Sequence, residues 1–374
     1  MKNILAFIFI ALLFACQEAR PQVQSEEERN PDLVGLKDYF ADDFKVGASL
    51  KKKDFREEDT KSVELILREF NTVTPENDLK WSRINPARDT FNWEVADDYV
   101  AFAEKHELWT IGHCLVWYLA LPDYIKNETD PATIRAIVEE HIQEVAGRYA
   151  GRIDGWDVLN EALEEDGTMR DWSIPRGMGD NWVSEVFKLA KAADPHAELY
   201  YNDYNLSSPE KRDGAVRMLK KALANGAPID GIGMQCHYGL EEPTLEEFET
   251  SIETFAALGL KVMITELDMN VLPTPWDKIS ADPTLKFKLS PEVNPYPDAL
   301  PDSLLQAQAA RYADFFRLFD KHADKISRVT FWNVTDGDSW LNYLPIKGRT
   351  NYPLLFDRNY QPKPAYNSVV ALKK

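Results

Sequence analysis

Two glutamates, Glu161 and Glu266, each stand at the end of an apolar run that is typical of a buried strand. The first follows IDGWDVLN at 153–160, and the second lies near the end of KVMITEL at 261–267. Hydrolysis of a glycosidic bond needs such a pair, because one carboxyl protonates the leaving oxygen while the other attacks the sugar or activates a water. The sequence has no serine nucleophile elbow, no Gly-rich cofactor loop and no metal-ligand spacing, so we predict neither cofactor nor metal.

Aromatic and polar residues recur where the predicted strands end. Aromatic rings can stack on the apolar faces of sugars, and amide, imidazole and ammonium groups can bond sugar hydroxyls. The aromatic candidates are Trp81, Trp117, Tyr204, Trp332 and Trp340. The polar candidates are Glu76, Asn77, Lys80, His113, Asn160, Gln235 and His237. Each alone has a structural explanation, since Asn starts turns and Trp packs in cores, and Asp336 fits a turn equally well. Their recurrence at seven of eight strand ends favours a binding site.

Short β-rich runs alternate with amphipathic helical runs along the chain. After the third strand, Asp130 can cap a helix, Pro131 suits its first position, and Gly151 lies just past its end. The predicted strands lie near 44–49, 71–76, 109–116, 153–160, 198–203, 230–237, 261–267 and 328–333. Further helices are predicted at about 61–70, 94–105, 181–193, 209–225, 244–258, 304–321 and 364–373.

Eight such βα units predict an α/β fold in which parallel strands close into a (β/α)8 barrel, or TIM barrel, as a single catalytic domain. An open doubly wound sheet is the alternative, but no predicted strand ends in a GxGxxG or GxxxxGK loop. The proline-rich segment 272–303 is predicted to be a long loop after the seventh strand. In a barrel the carboxyl ends of all strands meet on one face, which would bring Glu161 and Glu266 together.

The composition fits an enzyme with a neutral or weakly charged partner. The 374 residues carry a formal charge of −19, and a chain this acidic repels the phosphates of nucleic acids. Three cysteines, Cys16, Cys114 and Cys236, are too few for a disulfide framework. Cys114 and Cys236 are expected to behave as small apolar residues near the barrel interior.

The first residues have the pattern of an export signal. Lys2 precedes an apolar run over 4–15 that is too short to span a bilayer. It ends in LFAC, which resembles a bacterial lipobox, so residues 1–16 are predicted to be a lipoprotein signal peptide with lipid on Cys16. Residues 17–31 then form a flexible acidic tether before the domain at 32–374. We expect export and a lipid anchor at the bacterial outer membrane or cell surface, and otherwise a periplasmic or secreted protein with an ordinary signal peptide.

An ordered series of motifs resembles the family 10 glycoside hydrolases, which are retaining endo-β-1,4-xylanases. The resemblance covers the chain from about 32 to 374. The matching runs are ENDLKW at 76–81, HCLVW at 113–117, WDVLNE at 156–161, QCHY at 235–238, ITELD at 264–268, WNVTD at 332–336 with the later SW at 339–340, PLLFD at 353–357 and PKPAY at 362–366.

This resemblance implies that Glu161 is the acid/base, Glu266 the nucleophile, and xylan or xylo-oligosaccharides the substrate. The two carboxyls are then expected ~5–5.5 Å apart, and the pKa of Glu161 should be raised so that it holds the proton. Asn160 should bond the sugar 2-hydroxyl. His237 should bond Glu266 and be oriented by Asp268.

The sequence departs from the family pattern in two loops. After Trp117 the family continues with His, a small polar residue and Gln, whereas this chain has Tyr118, Leu119 and Ala120; after Trp340 it has Leu341 in place of Arg. These changes affect sugar-contact loops and leave the carboxyl pair intact. The alternatives are a barrel glycosidase that acts on another β-glucan and a surface glycan-binding protein without turnover.

Overall fold

The computed structural model describes residues 34–274 and 286–374. The predicted signal peptide with Cys16 and the predicted tether lie outside the described residues. Within them the strands are β1 Lys45–Leu50, β2 Thr72–Pro75, β3 Trp109–Trp117, β4 Gly155–Asn160, β5 Glu198–Asp203, β6 Gly231–Met234, β7 His237–Gly239, β8 Lys261–Asn270 and β9 Ile326–Phe331.

Eight of these strands close into a parallel barrel. The strands β1 to β6 pair in sequence order, β6 then pairs with β8, β8 with β9, and β9 returns to pair with β1. The predicted (β/α)8 barrel is therefore confirmed, and the open sheet is wrong because β1 has a neighbour on both sides. The seven strand ends that carry candidate residues consequently face the same rim.

The sixth predicted strand, 230–237, is divided in the structure. The barrel strand β6 ends at Met234, and Cys236 adopts a left-handed backbone with φ of +65°. This turn separates β6 from the short strand β7, which pairs with the outer part of β8 and sets His237 opposite Asp268. The strand β8 accordingly runs three residues beyond its predicted end at 267.

The helices fill the predicted gaps and alternate with the strands. The helix after β3 is confirmed, because the Asp130 side chain accepts a hydrogen bond from the Thr133 amide and Gly151 has a left-handed φ of +71°. In the described residues the helices are α1 Leu36–Tyr39, α2 Lys52–Phe55, α3 Thr60–Glu69, α4 Trp81–Ile84, α5 Trp93–Lys105, α6 Asp123–Lys126, α7 Pro131–Arg148, α8 Ser173–Met178, α9 Trp182–Ala193, α10 Pro209–Ala224, α11 Leu245–Ala256, α12 Asp302–Lys321 and α13 Pro364–Val370.

The main hydrophobic core joins the barrel strands to the surrounding helices. It includes fully buried residues such as Val46, Val158 and Ile264 on strands and Ile142 and Phe255 on helices. Of the loop predicted at 272–303, the described parts 272–274 and 286–301 contain neither helix nor strand, and helix α12 begins at Asp302, just before the predicted end of the loop. Among the helices of the described residues, none is long and apolar enough to cross a membrane.

Candidate active site

Glu161 directly follows β4 and has an unusual backbone conformation. Its φ is +55°, in the left-handed region that non-glycine residues seldom adopt. Its amide donates to the carbonyl of Asn202 at 2.8 Å, and its own carbonyl accepts from Nε of Arg170 at 3.1 Å. Both backbone polar groups of Glu161 are therefore held, as a strained residue at a functional site requires.

The Glu161 carboxyl is buried and accepts three hydrogen bonds. Nε1 of Trp117 donates to Oε2 at 2.8 Å, while Nε2 of Gln235 and Nδ2 of Asn160 donate to Oε1 at 3.0 and 3.2 Å. Burial raises the pKa of Glu161, and the nearby negative charges of Asp203 and Glu266 raise it further. These effects outweigh the hydrogen bonds, so the geometry favours a protonated acid at this position.

Glu266 has the opposite character, although it is equally buried. Its Oε1 accepts from Nδ2 of Asn202 at 2.8 Å, and its Oε2 lies 3.1 Å from Nε2 of His237. Burial by itself raises its pKa, but the His237 hydrogen bond and the charges of His113, His237 and Lys80 bring the pKa of Glu266 below its ordinary value of 4.5. An ionised carboxylate at this position can act as a nucleophile.

His237 is held between two carboxylates, as the sequence predicts. Its Nδ1 lies 3.0 Å from Oδ2 of Asp268, and the same oxygen accepts from Nε1 of Trp340 at 2.7 Å. Burial opposes the charged imidazole, but Asp268 and Glu266 raise the pKa of His237 to about 10. The imidazolium therefore persists at neutral pH and stabilises ionised Glu266.

Asn202, which is not among the residues predicted from the sequence, links the two halves of the site. Its Nδ2 donates to both Oδ1 of Asn160 and Oε1 of Glu266 at 2.8 Å, and its Oδ1 accepts from Thr265 at 2.6 Å. Of the run 202–205 at the end of β5 we selected only Tyr204. The pairing of Asn202 with Asn160 in neighbouring strands explains the link, and it depends on a register that the sequence alone does not give.

Other predicted polar residues form a connected rim. Oε2 of Glu76 accepts from Asn333 at 3.0 Å, and Oδ1 of Asn77 accepts from Nζ of Lys80 at 2.9 Å. The same ammonium lies 4.8 Å from the ring centre of Trp117, which connects this rim to the partner of Glu161.

His113 contacts Asp157 of β4 and Trp332, which directly follows β9. Its Nδ1 is 2.9 Å from Asp157, and its ring meets Trp332 edge to face, with the ring centres 5.4 Å apart. The ring of Trp332 also meets the ring of His237 edge to face, with the ring centres 6.3 Å apart. Residues of β3 and β7 therefore pack against one tryptophan that directly follows β9.

The prediction that Trp81 stacks on a sugar is wrong. Its side chain is 0% exposed, and its ring stacks on His141 of α7 at a centroid distance of 3.6 Å. Its Nε1 donates to the hydroxyl of Tyr124 at 2.8 Å. Trp81 begins the short helix α4, and this helix turns the ring away from the rim and into the core.

Asp336 does not contact the rim, and its side chain fixes a loop. Its carboxylate is fully buried, lies 3.0 Å from Nζ of Lys363 and accepts from the Leu354 amide at 2.8 Å. Burial raises the pKa of Asp336, and the ammonium of Lys363 offsets part of that rise. Its role in the described structure is to anchor the segment after β9.

Of the residues that depart from the family pattern, Ala120 and Leu341 are buried among aromatic side chains, whereas Tyr118 and Leu119 are partly buried. Ala120 is 4% exposed and packs with Cys114 and Trp117, and Leu341 is 1% exposed and packs with Trp332 and Trp340. Leu341 thus supports the two tryptophans from beneath. An arginine at that position would need a different path to reach a sugar.

The described residues include one set of side chains whose geometry could suit a metal. Glu249, Glu253 and His322 place one ligand atom each within 4.8 Å of the others. They lie on α11 and just after α12, and Lys321 already contacts Glu249. This set is separate from the site at the strand ends.

A closed (β/α)8 barrel whose C-terminal rim carries one glutamate with a raised pKa and one with a lowered pKa has the arrangement of a glycoside hydrolase. The family model "Glycosyl hydrolase family 10" matches residues 35–372, and the chain belongs to this family.

Curated and structural relatives agree with the family assignment. "Endo-1,4-beta-xylanase A" of Xylanibacter ruminicola is 40% identical over 342 residues, which cover 90% of this chain and 93% of the relative. "Beta-1,4-xylanase" of Dictyoglomus thermophilum is 35% identical and covers 98% of each chain. The solved structure of a GH10 endoxylanase from a sugarcane soil metagenome has 42% identity and a TM-score of 0.86, covering 91% of this chain and all of that one. A mutant structure in complex with xylotriose has a TM-score of 0.80 at 33% identity, covering 90% and 99%.

The opposite pKa shifts of the two glutamates predict a bell-shaped pH profile. As pH rises through the lowered pKa of Glu266, below 4.5, the nucleophile ionises and kcat/KM should increase. As pH rises further, through the raised pKa of Glu161, the acid loses its proton and kcat/KM should decrease. Measurement of kcat/KM from pH 3 to 9 with Glu161→Gln should show that the alkaline fall is absent in the variant. An alkaline fall that persists unchanged would assign it to another group.

Proposed function

We propose that this chain is a retaining endo-1,4-β-xylanase that hydrolyses internal β-1,4 linkages of xylan by double displacement. The observation that carries this proposal is the pair of glutamates whose surroundings shift their pKa values in opposite directions. The relatives include endo-1,4-beta-xylanases, which supports xylan as the substrate. A neutral polymer also suits a chain with a formal charge of −19, which would repel a polyanion.

In the first step, the ionised carboxylate of Glu266 attacks the anomeric carbon while Glu161 protonates the departing glycosidic oxygen. The bond to the leaving sugar breaks as the glycosyl–Glu266 bond forms. His237 and Asn202 hold the attacking carboxylate in a fixed orientation, so little reorganisation is needed.

In the second step, a water enters and the ionised Glu161 accepts its proton. The resulting hydroxide attacks the anomeric carbon from the side that the leaving sugar vacated, and the carboxylate of Glu266 is released. Two inversions give net retention. Asn160 lies beside both Glu161 and Asn202, which suits it to bond the sugar 2-hydroxyl during both steps.

A substrate comparison tests this proposal directly. The protein should release reducing ends from xylan much faster than from cellulose or mixed-linkage glucan, with an early fall in viscosity because internal bonds are cut. The Glu161→Gln variant should lose this release. Faster release from a β-glucan would assign the enzyme to that substrate, and binding to xylan without any release would indicate a glycan-binding protein.

We further propose that Cys16 carries lipid and holds the enzyme at a membrane surface through the 17–31 tether. The apolar run at 4–15 after Lys2 and the LFAC sequence support this proposal. Cys16→Ala should shift the protein from the membrane fraction to the soluble fraction of the expressing bacterium. Ser25→Ala, a change in the same tether that leaves the thiol intact, should not. Equal partitioning of wild type and Cys16→Ala would contradict lipidation.

A further inference from the structure

Arg170, which is not among the residues predicted from the sequence, makes polar contacts with Glu161, Glu164 and Tyr204. Its Nε donates to the carbonyl oxygen of Glu161 at 3.1 Å, and its Nη2 donates to the hydroxyl of Tyr204 at 2.9 Å. Its Nη1 lies 2.6 Å from Oε2 of Glu164. Because the guanidinium is planar and its donors have fixed directions, these contacts fix the relative positions of Glu161 and Tyr204.

The packing around Arg170 makes this geometry rigid. The guanidinium carbon lies 4.4 Å from the ring centre of Tyr118, and the Arg170 side chain is only 11% exposed. Tyr204 also contacts a second cation, because Nζ of the fully buried Lys211 lies 3.4 Å from its ring centre. Tyr204 is therefore held both at its hydroxyl and on its ring, and a sugar that contacts it meets a fixed surface.

The backbone of Glu161 needs such a restraint. Its left-handed conformation is costly for a residue with a side chain, and it persists only where the surroundings hold it. The hydrogen bond from Arg170 satisfies the carbonyl oxygen of Glu161. Loss of this bond would let the backbone of Glu161 move, and the carboxyl would move with it. A general acid displaced by about 1 Å can lose on the order of 100-fold in rate.

We propose that Arg170 is a positioning residue that joins the acid/base Glu161 to Tyr204, so that a sugar unit bound against Tyr204 and the proton donor keep one fixed relative position. This inference rests on the proposed function only in taking Glu161 as the acid. Arg170 itself has no part in the proton transfer.

The competing explanation is that Arg170 only forms an ion pair with Glu164. The Glu164 side chain is 49% exposed, and an ion pair with such a partner contributes little stability. Glu164→Gln, which removes that charge and leaves the bonds to Glu161 and Tyr204, is therefore expected to keep wild-type kcat. A loss in Glu164→Gln equal to that in Arg170→Gln would overturn the proposal.

The test compares two substrates that differ in their need for an acid. Arg170→Gln should lower kcat on xylan by about 10- to 100-fold, with a smaller change in KM, because the acid is misplaced. On an aryl β-xyloside with an acidic phenol as leaving group, whose departure needs no proton, the first step should slow by no more than about threefold. Arg170→Lys, which keeps the charge without the planar geometry, should show an intermediate loss on xylan and little on the aryl substrate.

The matched control is Arg176→Gln. Arg176 lies six residues further along and also forms an ion pair, in its case through two bonds to Asp171. Its side chain is 63% exposed, and its hydrogen bonds go to Asp171 and not to Glu161 or Tyr204. This variant should behave as wild type on both substrates. Tyr204→Phe, which removes only the hydroxyl acceptor, should reproduce part of the Arg170→Gln effect, and the double variant should lose less than the two single losses combined.

Equal losses on xylan and on the aryl substrate would overturn the proposal, because a merely structural residue would affect both alike. Wild-type rates in Arg170→Gln would overturn it too. If Arg170→Gln does not fold, Arg170→Lys and Tyr204→Phe supply the same comparison. This test can fail independently of the proposed function. If the wild type prefers another glycan to xylan, the same variants can be compared on that glycan and on its aryl glycoside.

Discussion

Glu266→Ala is expected to reduce kcat on xylan by a factor on the order of 10⁴ or more, because the variant has no group to attack the anomeric carbon. The carboxylate lies at the rim of the barrel on β8, where it bonds His237 and Asn202. The fold should survive, since the apolar residues of β8 remain in the core.

The variant also provides a chemical test of the role of Glu266. Removal of the carboxylate leaves space on the face from which it attacks, so added azide should occupy that space and react with an activated aryl xyloside. A single attack inverts the anomeric carbon, and the product should be the α-xylosyl azide. For the wild type, proton NMR should show the β-anomer as the first product. An α-anomer formed first by the wild type would show that Glu266 is not a nucleophile.

Glu249→Ala is the matched control for Glu266→Ala. Glu249 also pairs with a buried histidine, His322, at 2.6 Å, but on the outer helices. Glu249→Ala removes a carboxylate–histidine pair, as Glu266→Ala does, but it leaves the rim unchanged, so kcat should stay at the wild-type value. A comparable fall in kcat for both variants would mean that the loss in Glu266→Ala reflects damage to the fold.

The sequence was sufficient to predict the barrel and the order of its strands and helices, because period and turn residues are local properties. Glu161 and Glu266 could be paired without coordinates, since every parallel barrel brings its carboxyl strand ends to one face. The division of the sixth strand was missed because it depends on the left-handed Cys236, a conformation that its residue type does not indicate.

The errors within the site have a common cause, which is side-chain direction. Trp81 and Trp117 both follow strand ends in the sequence, yet the first stacks on His141 in the core and the second donates to Glu161. Asn202 and Arg170 act through contacts with residues 42 and nine positions away, respectively. Strand register and loop packing decide such contacts, and neither is encoded in local spacing.

Glu161→Gln is expected to lower kcat/KM on xylan by about 10²- to 10⁴-fold, the usual contribution of a general acid. The amide has the size of the carboxyl but holds no proton that can be transferred to a glycosidic oxygen. On an aryl xyloside with an acidic leaving group, formation of the glycosyl–Glu266 intermediate should stay close to the wild-type rate, because that leaving group departs unprotonated.

The hydrogen bonds of Glu161 require a second variant. Trp117 donates to one carboxyl oxygen and Gln235 to the other, so an amide at this position turns its NH2 group towards one of these donors. Some loss in Glu161→Gln therefore comes from a broken hydrogen bond. Glu161→Ala has no such conflict, and it should show the same dependence on the leaving group.

Pre-steady-state release of the phenol separates the two roles of Glu161. In Glu161→Ala a fast burst from the aryl substrate should precede slow turnover, because the intermediate forms without acid but its hydrolysis lacks the base. Added azide, which attacks without a base, should restore turnover and give the β-xylosyl azide by a second inversion. This product has the opposite configuration to the one expected from Glu266→Ala, so the pair of variants assigns each carboxyl its own face of the sugar. An α-azide from Glu161→Ala would exchange the two assignments.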